Sequence, residues 1–208
     1  MTSLVLKSRI RQERLDSRRA VADEVRNAET LALCGHVHAV VERTDAVAGY
    51  APIRGEPGFP GFADALLAAC VRVLLPVARA AADGTPLPLQ WAEYHPDELV
   101  DAPFGLREPS GPWLPPTALA GVRTIFVPAL AVDRHGIRLG RGAGFYDRSL
   151  HFRDPAARLI AVVRDDELVE ALPAEPHDVA MTHALTPGRG LVTLSSRSGG
   201  NAGWPVGT

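Results

Sequence analysis

The stretch TIFVPALAVD, residues 124–133, is apolar almost throughout and rich in branched side chains. A strand with one face in water alternates apolar with polar positions, so an unbroken run predicts a strand buried on both faces. VRVLLPV (71–77), LPLQWAEY (87–94) and RLIAVV (158–163) predict further strands, residues 45–52 a short one, and LVTLSS near Leu191 a last one. Between residues 3 and about 43 the chain is charged and alanine-rich, and Leu4, Ile10, Val21, Val25, Leu31, Leu33, Val37 and Val41 recur near helical spacing. That pattern predicts two helices, with a break near residues 15–17. FADALLAAC and GFYDRSLHF predict two more, while RGEPGFPG and EPSGPWLPP are full of breakers and predict loops. Strands alternating with helices predict an α/β fold, with a mainly parallel sheet and helices on both faces.

Length and charge narrow the picture. A chain of 208 residues is long enough for one α/β domain, expected over residues 1–195, followed by a flexible tail at 196–208. With 22 basic and 24 acidic residues the net charge is −2, which supplies no global attraction for nucleic acid or an anionic membrane. The N-terminus becomes charged within a few residues and no apolar span reaches the ~20 residues a membrane helix needs. A soluble, cytoplasmic protein is expected. Cys34 and Cys70 form neither a CxxC pair nor a dense framework, so they are read as packing residues rather than metal ligands or a disulfide.

Candidate chemistry concentrates in RLGRGAGFYDRSL, residues 138–150, where glycines stand at 140, 142 and 144. Alternate positions without a Cβ permit positive φ and close approach of a ligand to the main chain. Lying between a strand and a helix start, their amides favour an anion, most often phosphate. The spacing is neither GxGxxG nor GxxxxGK[ST], and a glycine-rich turn is also simply a turn. Glu56, Asp147 and Asp178 are candidate carboxylates for the crevice beyond the strand ends, where Mg²⁺ with its demand for oxygen ligands would sit near phosphate. Each taken alone reads more readily as a solvated, turn or helix-end charge. Lys7 and Arg11, four apart, share a helix face that suits a polyphosphate or merely solvent. Trp91, Trp113, Phe145 and Tyr146 are candidates for stacking on a flat heterocycle or for the core. His177 beside Asp178 is an isolated pair, and no GxSxG pattern points to an acyl-enzyme.

Taken together, KSRIR, YAPIRGE, VLLPV, FGLREP, VPALAVDRHGIRLGRGAGFYDRSL and LPAEPHDVAMTHALTP, in that order from Lys7 to Pro187, resemble the 5-formyltetrahydrofolate cyclo-ligase family, also called 5,10-methenyltetrahydrofolate synthetase. The resemblance implies a three-layer α/β fold behind an N-terminal helical segment. It also implies an ATP- and Mg²⁺-dependent enzyme that converts 5-formyltetrahydrofolate to 5,10-methenyltetrahydrofolate, acting as a monomer. By resemblance, ATP contacts are Lys7, Arg11, Arg138, Leu139, Gly140, Arg141, Gly142, Ala143, Gly144, Phe145 and Tyr146. Folate contacts are Ala51, Glu56, Arg141 and Phe145; Arg141 and Asp147 are the catalytic pair, and Asp147 and Asp178 hold the metal. Many relatives read GKGYYD where this chain has GAGFYD, so Ala143 lacks an ammonium and Phe145 a hydroxyl. The alternative is a catalytically silent relative that binds folate or nucleotide in a regulatory role. Retention of Lys7, Arg11, Glu56, Asp147 and Asp178 speaks for the enzyme.

Overall fold

The apolar runs lie edge to edge at the centre of the protein. The computed structural model describes residues 3–41 and 46–195; the expected tail at 196–208 lies outside them. In chain order the strands are β1 (Ala46–Ala48), β2 (Arg72–Val77), β3 (Gln90–Glu93), β4 (Leu99–Ala102), β5 (Leu106–Pro109) and β6 (Thr124–Pro128). Then follow β7 (Ala131–Asp133), β8 (Arg138–Leu139), β9 (Arg158–Val162), β10 (Leu168–Val169), β11 (His183–Thr186) and β12 (Gly190–Thr193). Seven of them form the main sheet in the order β12-β11-β9-β6-β1-β2-β3. Every neighbouring pair is parallel except the two at the edges, β11 with β12 and β2 with β3.

Burial on both faces explains the unbroken apolar runs. Along β6, Ile125 and Val127 enter one core with Ala48, Ala161 and Ala184, while Phe126 enters the other with Val47, Ile160 and Leu185. Helices α2 (Asp23–Val40) and α3 (Phe62–Ala69) cover the Phe126 face through Leu33, Val37, Phe62 and Leu66. The other face is covered by shorter pieces, including 3₁₀ turns at Pro116–Gly121 and Leu150–Phe152 and the helix α4 (Phe145–Ser149). GFYDRSLHF is thus one short helix followed by a 3₁₀ turn. Its dipole is smaller than a long helix would bring to the glycine loop.

Two boundaries differ from the pattern-based expectation. Helix α1 spans Ser3–Arg19 without a break at 15–17. It continues because Arg18 is needed in the interior, where its guanidinium bonds both Glu167 oxygens at 2.6 and 2.8 Å and the Ala129 carbonyl at 2.6 Å. The break falls instead between Arg19 and Asp23, where α2 begins. The run 124–133 is two strands. β6 ends at Pro128, which has no N–H to extend a ladder, and the chain turns into a small second sheet ordered β10-β7-β8. The buried Asp133 carboxylate locks that turn by accepting from the N–H groups of His135, Ile137 and Leu172, each at 2.9 Å. Periodicity also overlooks the β4–β5 hairpin, β10 and β11, all four residues or fewer per strand.

From β1 the sheet grows toward β2 on one side, and from β6 toward β9 and β11 on the other. The reversal between β1 and β6 opens a crevice beyond their carboxyl ends, where ligands of such sheets bind. Residues 49–56 leave β1 there, residues 129–147 leave β6, and α1 lies across both. No helix among the described residues is long and apolar enough to cross a membrane.

Candidate active site

The glycine loop enters the crevice with Gly142 at φ +105° and Gly144 at φ +75°, conformations that a side chain rarely adopts. What comes close to its backbone is Arg11. The Arg11 Nε donates to the Gly140 carbonyl at 2.9 Å, and a Cβ on Gly142 would stand 3.5 Å from the guanidinium carbon. Arg148 approaches from the other side, donating to the carbonyls of Gly144 at 3.1 Å and Ala143 at 3.3 Å. A second guanidinium therefore sits at the loop where Ala143 itself brings no charge.

Beneath the loop, Arg138 is nearly buried. Its Nη2 donates to Asp147 Oδ1 at 2.8 Å, its Nη1 to the Pro128 carbonyl at 3.4 Å, and its guanidinium lies 5.5 Å from the centre of the Tyr146 ring. Asp147 Oδ2 has no hydrogen-bond partner among the described residues. Leu139 turns its side chain into the small core with Ala131, Ile137 and Leu172, so its share in any binding is limited to the main chain. Phe145 and Tyr146 are half-buried against the main core.

Lys7 is buried between two carboxylates, with Nζ 2.8 Å from Asp178 Oδ2 and 2.9 Å from Glu175 Oε2. Burial alone would lower its pKa, but the hydrogen bonds and charges of Asp178 and Glu175 outweigh burial and raise it. The exposed His177 lies 3.7 Å from Glu175, and one ligand atom from each of Glu175, His177 and Asp178 falls within 4.8 Å of the others. Asp147 is not in this group. Each of the two proposed metal carboxylates is held here by its own cation, Asp178 by Lys7 and Asp147 by Arg138. Carboxylate oxygens are the donors that a hard divalent cation takes, but Asp147 stands outside the Glu175–Asp178 cluster and Lys7 occupies Asp178 Oδ2.

Glu56 faces the loop from the β1 side. Its Oε1 accepts from Arg141 Nε at 3.1 Å and its Oε2 from the N–H of Ile53 at 3.1 Å, while Ala51 is half-buried beside it. Next to this pair is a cleft of about 380 Å³ lined by Leu15, Arg18, Arg19, Arg26, Ile53, Arg54, Gly55 and Arg141. Five arginines line it, but Arg18, Arg19, Arg26 and Arg141 are each paired with a carboxylate, Glu167, Asp16, Asp23 and Glu56 respectively.

Several residues of this corner go unnoticed in the pattern alone. Arg18 was legible in principle, since positions 7, 11 and 18 fall on one stripe of an α-helix. Glu175 stands three residues before Asp178, whose Oδ2 accepts its backbone N–H at 2.8 Å, a local turn that carries both carboxylates. Of the four aromatic candidates, Trp91 is fully buried in the core, and Trp113 packs at 4.3 Å against Arg79, away from the loop. FGLREP serves the scaffold, because buried Glu108 accepts from the Ala78 N–H at 2.6 Å and from Arg79 at 2.7 Å and so ties the β4–β5 hairpin to the end of β2.

A parallel sheet with a switch-point crevice, floored by a glycine loop and ringed by lysine, arginine and carboxylate side chains, defines an α/β protein built for small anionic ligands. The chain belongs to the 5-formyltetrahydrofolate cyclo-ligase family, whose model matches residues 4–187. It is 55% identical over 188 residues to the 5-formyltetrahydrofolate cyclo-ligase of Mycolicibacterium smegmatis, covering 90% of this chain and 97% of that one. The NMR structure of Aquifex aeolicus 5,10-methenyltetrahydrofolate synthetase superposes with a TM-score of 0.72 at 26% identity, covering 91% of this chain and 93% of that one. A 5,10-methenyltetrahydrofolate synthetase from Mycoplasma pneumoniae shares the fold at 20% identity, with a TM-score of 0.63, over 84% of this chain and 94% of that one.

Proposed function

We propose that this chain closes 5-formyltetrahydrofolate to 5,10-methenyltetrahydrofolate at the expense of ATP, releasing ADP and phosphate. Family membership over residues 4–187 supports the activity. The observation that carries its location is the docking of Arg11 on Gly140, which sets α1 against the glycine loop at the switch point.

The reaction has two bond-forming steps. The formyl oxygen on N5 attacks the γ-phosphorus of ATP, ADP departs, and an amide oxygen that leaves poorly becomes a phosphate that leaves well. N10 then attacks the activated formyl carbon, phosphate departs, and N10 gives up its proton as the methenyl bridge forms. The first step depends mainly on positioning and charge neutralisation.

Arg11 and Arg141 bring positive charge to the loop, with Lys7 one turn earlier on α1, and the main chain from Arg138 to Tyr146 can wrap the phosphates where glycines leave it uncovered. Glu56, with Ala51 and Phe145 beside the folate, accepts hydrogen bonds from pterin N–H groups. Asp147 and Asp178 would hold Mg²⁺, which when bound neutralises phosphate charge. The enzyme is proposed to act as a monomer in the cytoplasm.

The test mixes purified protein with 5-formyltetrahydrofolate, ATP and Mg²⁺ and follows the absorbance of the methenyl product. ATP-dependent appearance of the chromophore is expected. Folate binding without product would identify a silent relative.

A further inference from the structure

Four arginines meet at the glycine loop, and two of them are neutralised. Arg138 pairs with Asp147, and Arg141 with Glu56. Arg11 and Arg148 have no carboxylate partner among the described residues. Loop carbonyls alone hold them, Arg11 on Gly140 at 2.9 Å and Arg148 on Gly144 at 3.1 Å and Ala143 at 3.3 Å. A carbonyl accepts a hydrogen bond without cancelling the charge, so two uncompensated cations stand along residues 140–144.

The bare positions of the loop receive these same two side chains. A Cβ on Gly142 would stand 3.5 Å from the Arg11 Nε, and a Cβ on Gly144 would collide with Arg148 Nη1. Gly144 caps α4 and Arg148 lies four residues on, so its side chain, which in a helix leans back toward the N-terminus, comes to rest over the glycine. Arg148 is exposed, and only its Nη1 is engaged among the described residues. Its Nε and Nη2 share one edge of the planar guanidinium, the kind of edge that meets two oxygens of an anion side by side.

We propose that Arg148 is a nucleotide-binding residue, its guanidinium contacting the polyphosphate of ATP from the side of the loop opposite Arg11. This rests on the nucleotide reading given above and adds to it the source of the charge that Ala143 does not bring: the cation enters the loop from α4. A polyphosphate carries several negative charges along a short chain, which suits two cations spaced along a short loop. The glutamate carboxylates of the folate are the other anions in the reaction, and separate titrations of the two substrates distinguish them.

The test is calorimetric titration of a non-hydrolysable ATP analogue with Mg²⁺, and separately of 5-formyltetrahydrofolate, into wild type, Arg148→Gln and the double variant Arg148→Gln/Ala143→Lys, at low and at moderate salt, with a thermal melt of each ligand-free protein. Arg148→Gln is expected to bind the ATP analogue about tenfold more weakly, the loss of a hydrogen bond between charged groups, and with a shallower salt dependence. Its folate affinity should be unchanged, and its melting temperature close to wild type because the side chain is exposed. In the double variant an ammonium from the exposed position 143 should restore most of the lost affinity together with the salt dependence, which a side chain that merely braces the loop would not explain. Unchanged affinity for the ATP analogue in Arg148→Gln would overturn the assignment, as would equal weakening of both ligands or a double variant no tighter than the single. Weakening of folate alone would give the guanidinium to the folate carboxylates and overturn it too. A wild type that does not bind the ATP analogue would overturn the nucleotide reading itself, an outcome distinct from a failure of Arg148 alone.

Discussion

Lys7 and Asp178 stand 171 residues apart in the chain and 2.8 Å apart in the fold. Through that contact the first helix closes over the segment before β11, and Glu175 completes the enclosure of the ammonium at 2.9 Å. Lysine rather than arginine suits the place, because a compact charge with rotatable donors reaches two carboxylates from one buried atom.

Lys7→Met keeps the aliphatic stem and leaves two carboxylates uncompensated, so stability in urea at pH 7 should fall by about 3 kcal/mol. The pH dependence has a definite sign. The folded pKa of Lys7 is raised above 10.5, so the ion pair contributes fully below pH 10.5 and is lost as pH rises through the folded value. Wild type should therefore lose stability more steeply than Lys7→Met above pH 10.5. Parallel alkaline profiles would show that the pair does not hold α1 in place.

Asp147→Asn should lower kcat by on the order of 100-fold, since an amide is a weaker ligand for Mg²⁺ than a carboxylate. The substitution also weakens the bond from Arg138, but the side chain is 26% exposed and the fold should survive. Turnover measured against Mg²⁺ concentration checks this. Wild-type rates at limiting Mg²⁺ would remove Asp147 from the metal site.

Glu56→Gln preserves shape and removes charge at the group that Arg141 and the Ile53 N–H now hold. The KM for 5-formyltetrahydrofolate should rise by about tenfold, the loss of a charge-assisted hydrogen bond, with the KM for ATP unchanged. Steady-state kinetics in both substrates separates the two. An equal rise for both would mean that the loop had shifted through Arg141.

Gly142→Ala forces a side chain to φ +105° with its Cβ 3.5 Å from the Arg11 guanidinium. Strain of about 1–2 kcal/mol is expected, relieved by displacing the loop from Arg11. The KM for ATP should rise several-fold more than that for folate. Unaltered kinetics and an unaltered melting temperature would place the loop outside the nucleotide site.

Much of the scaffold was legible before any contact was known. Doubly buried strands show as unbroken apolar runs in VRVLLPV and RLIAVV, and the glycines at 142 and 144 announce main chain that needs positive φ. The ordered motifs from Lys7 to Pro187 carried the family. Short elements were not legible: β4, β5, β10 and β11 are too brief for a period to emerge from their neighbours.

What sequence determined by itself, then, is local: which segments are strands or helices, where the backbone must be bare, and which side chains carry charge. Tertiary structure alone decided the partners. It split residues 124–133 at Pro128, carried α1 through to Arg18 for the sake of Glu167, and gave Asp147 to Arg138 and Asp178 to Lys7. Propensity and periodicity act over a few residues, whereas Lys7 and Asp178 meet only because the whole sheet holds the first helix over the segment that precedes β11.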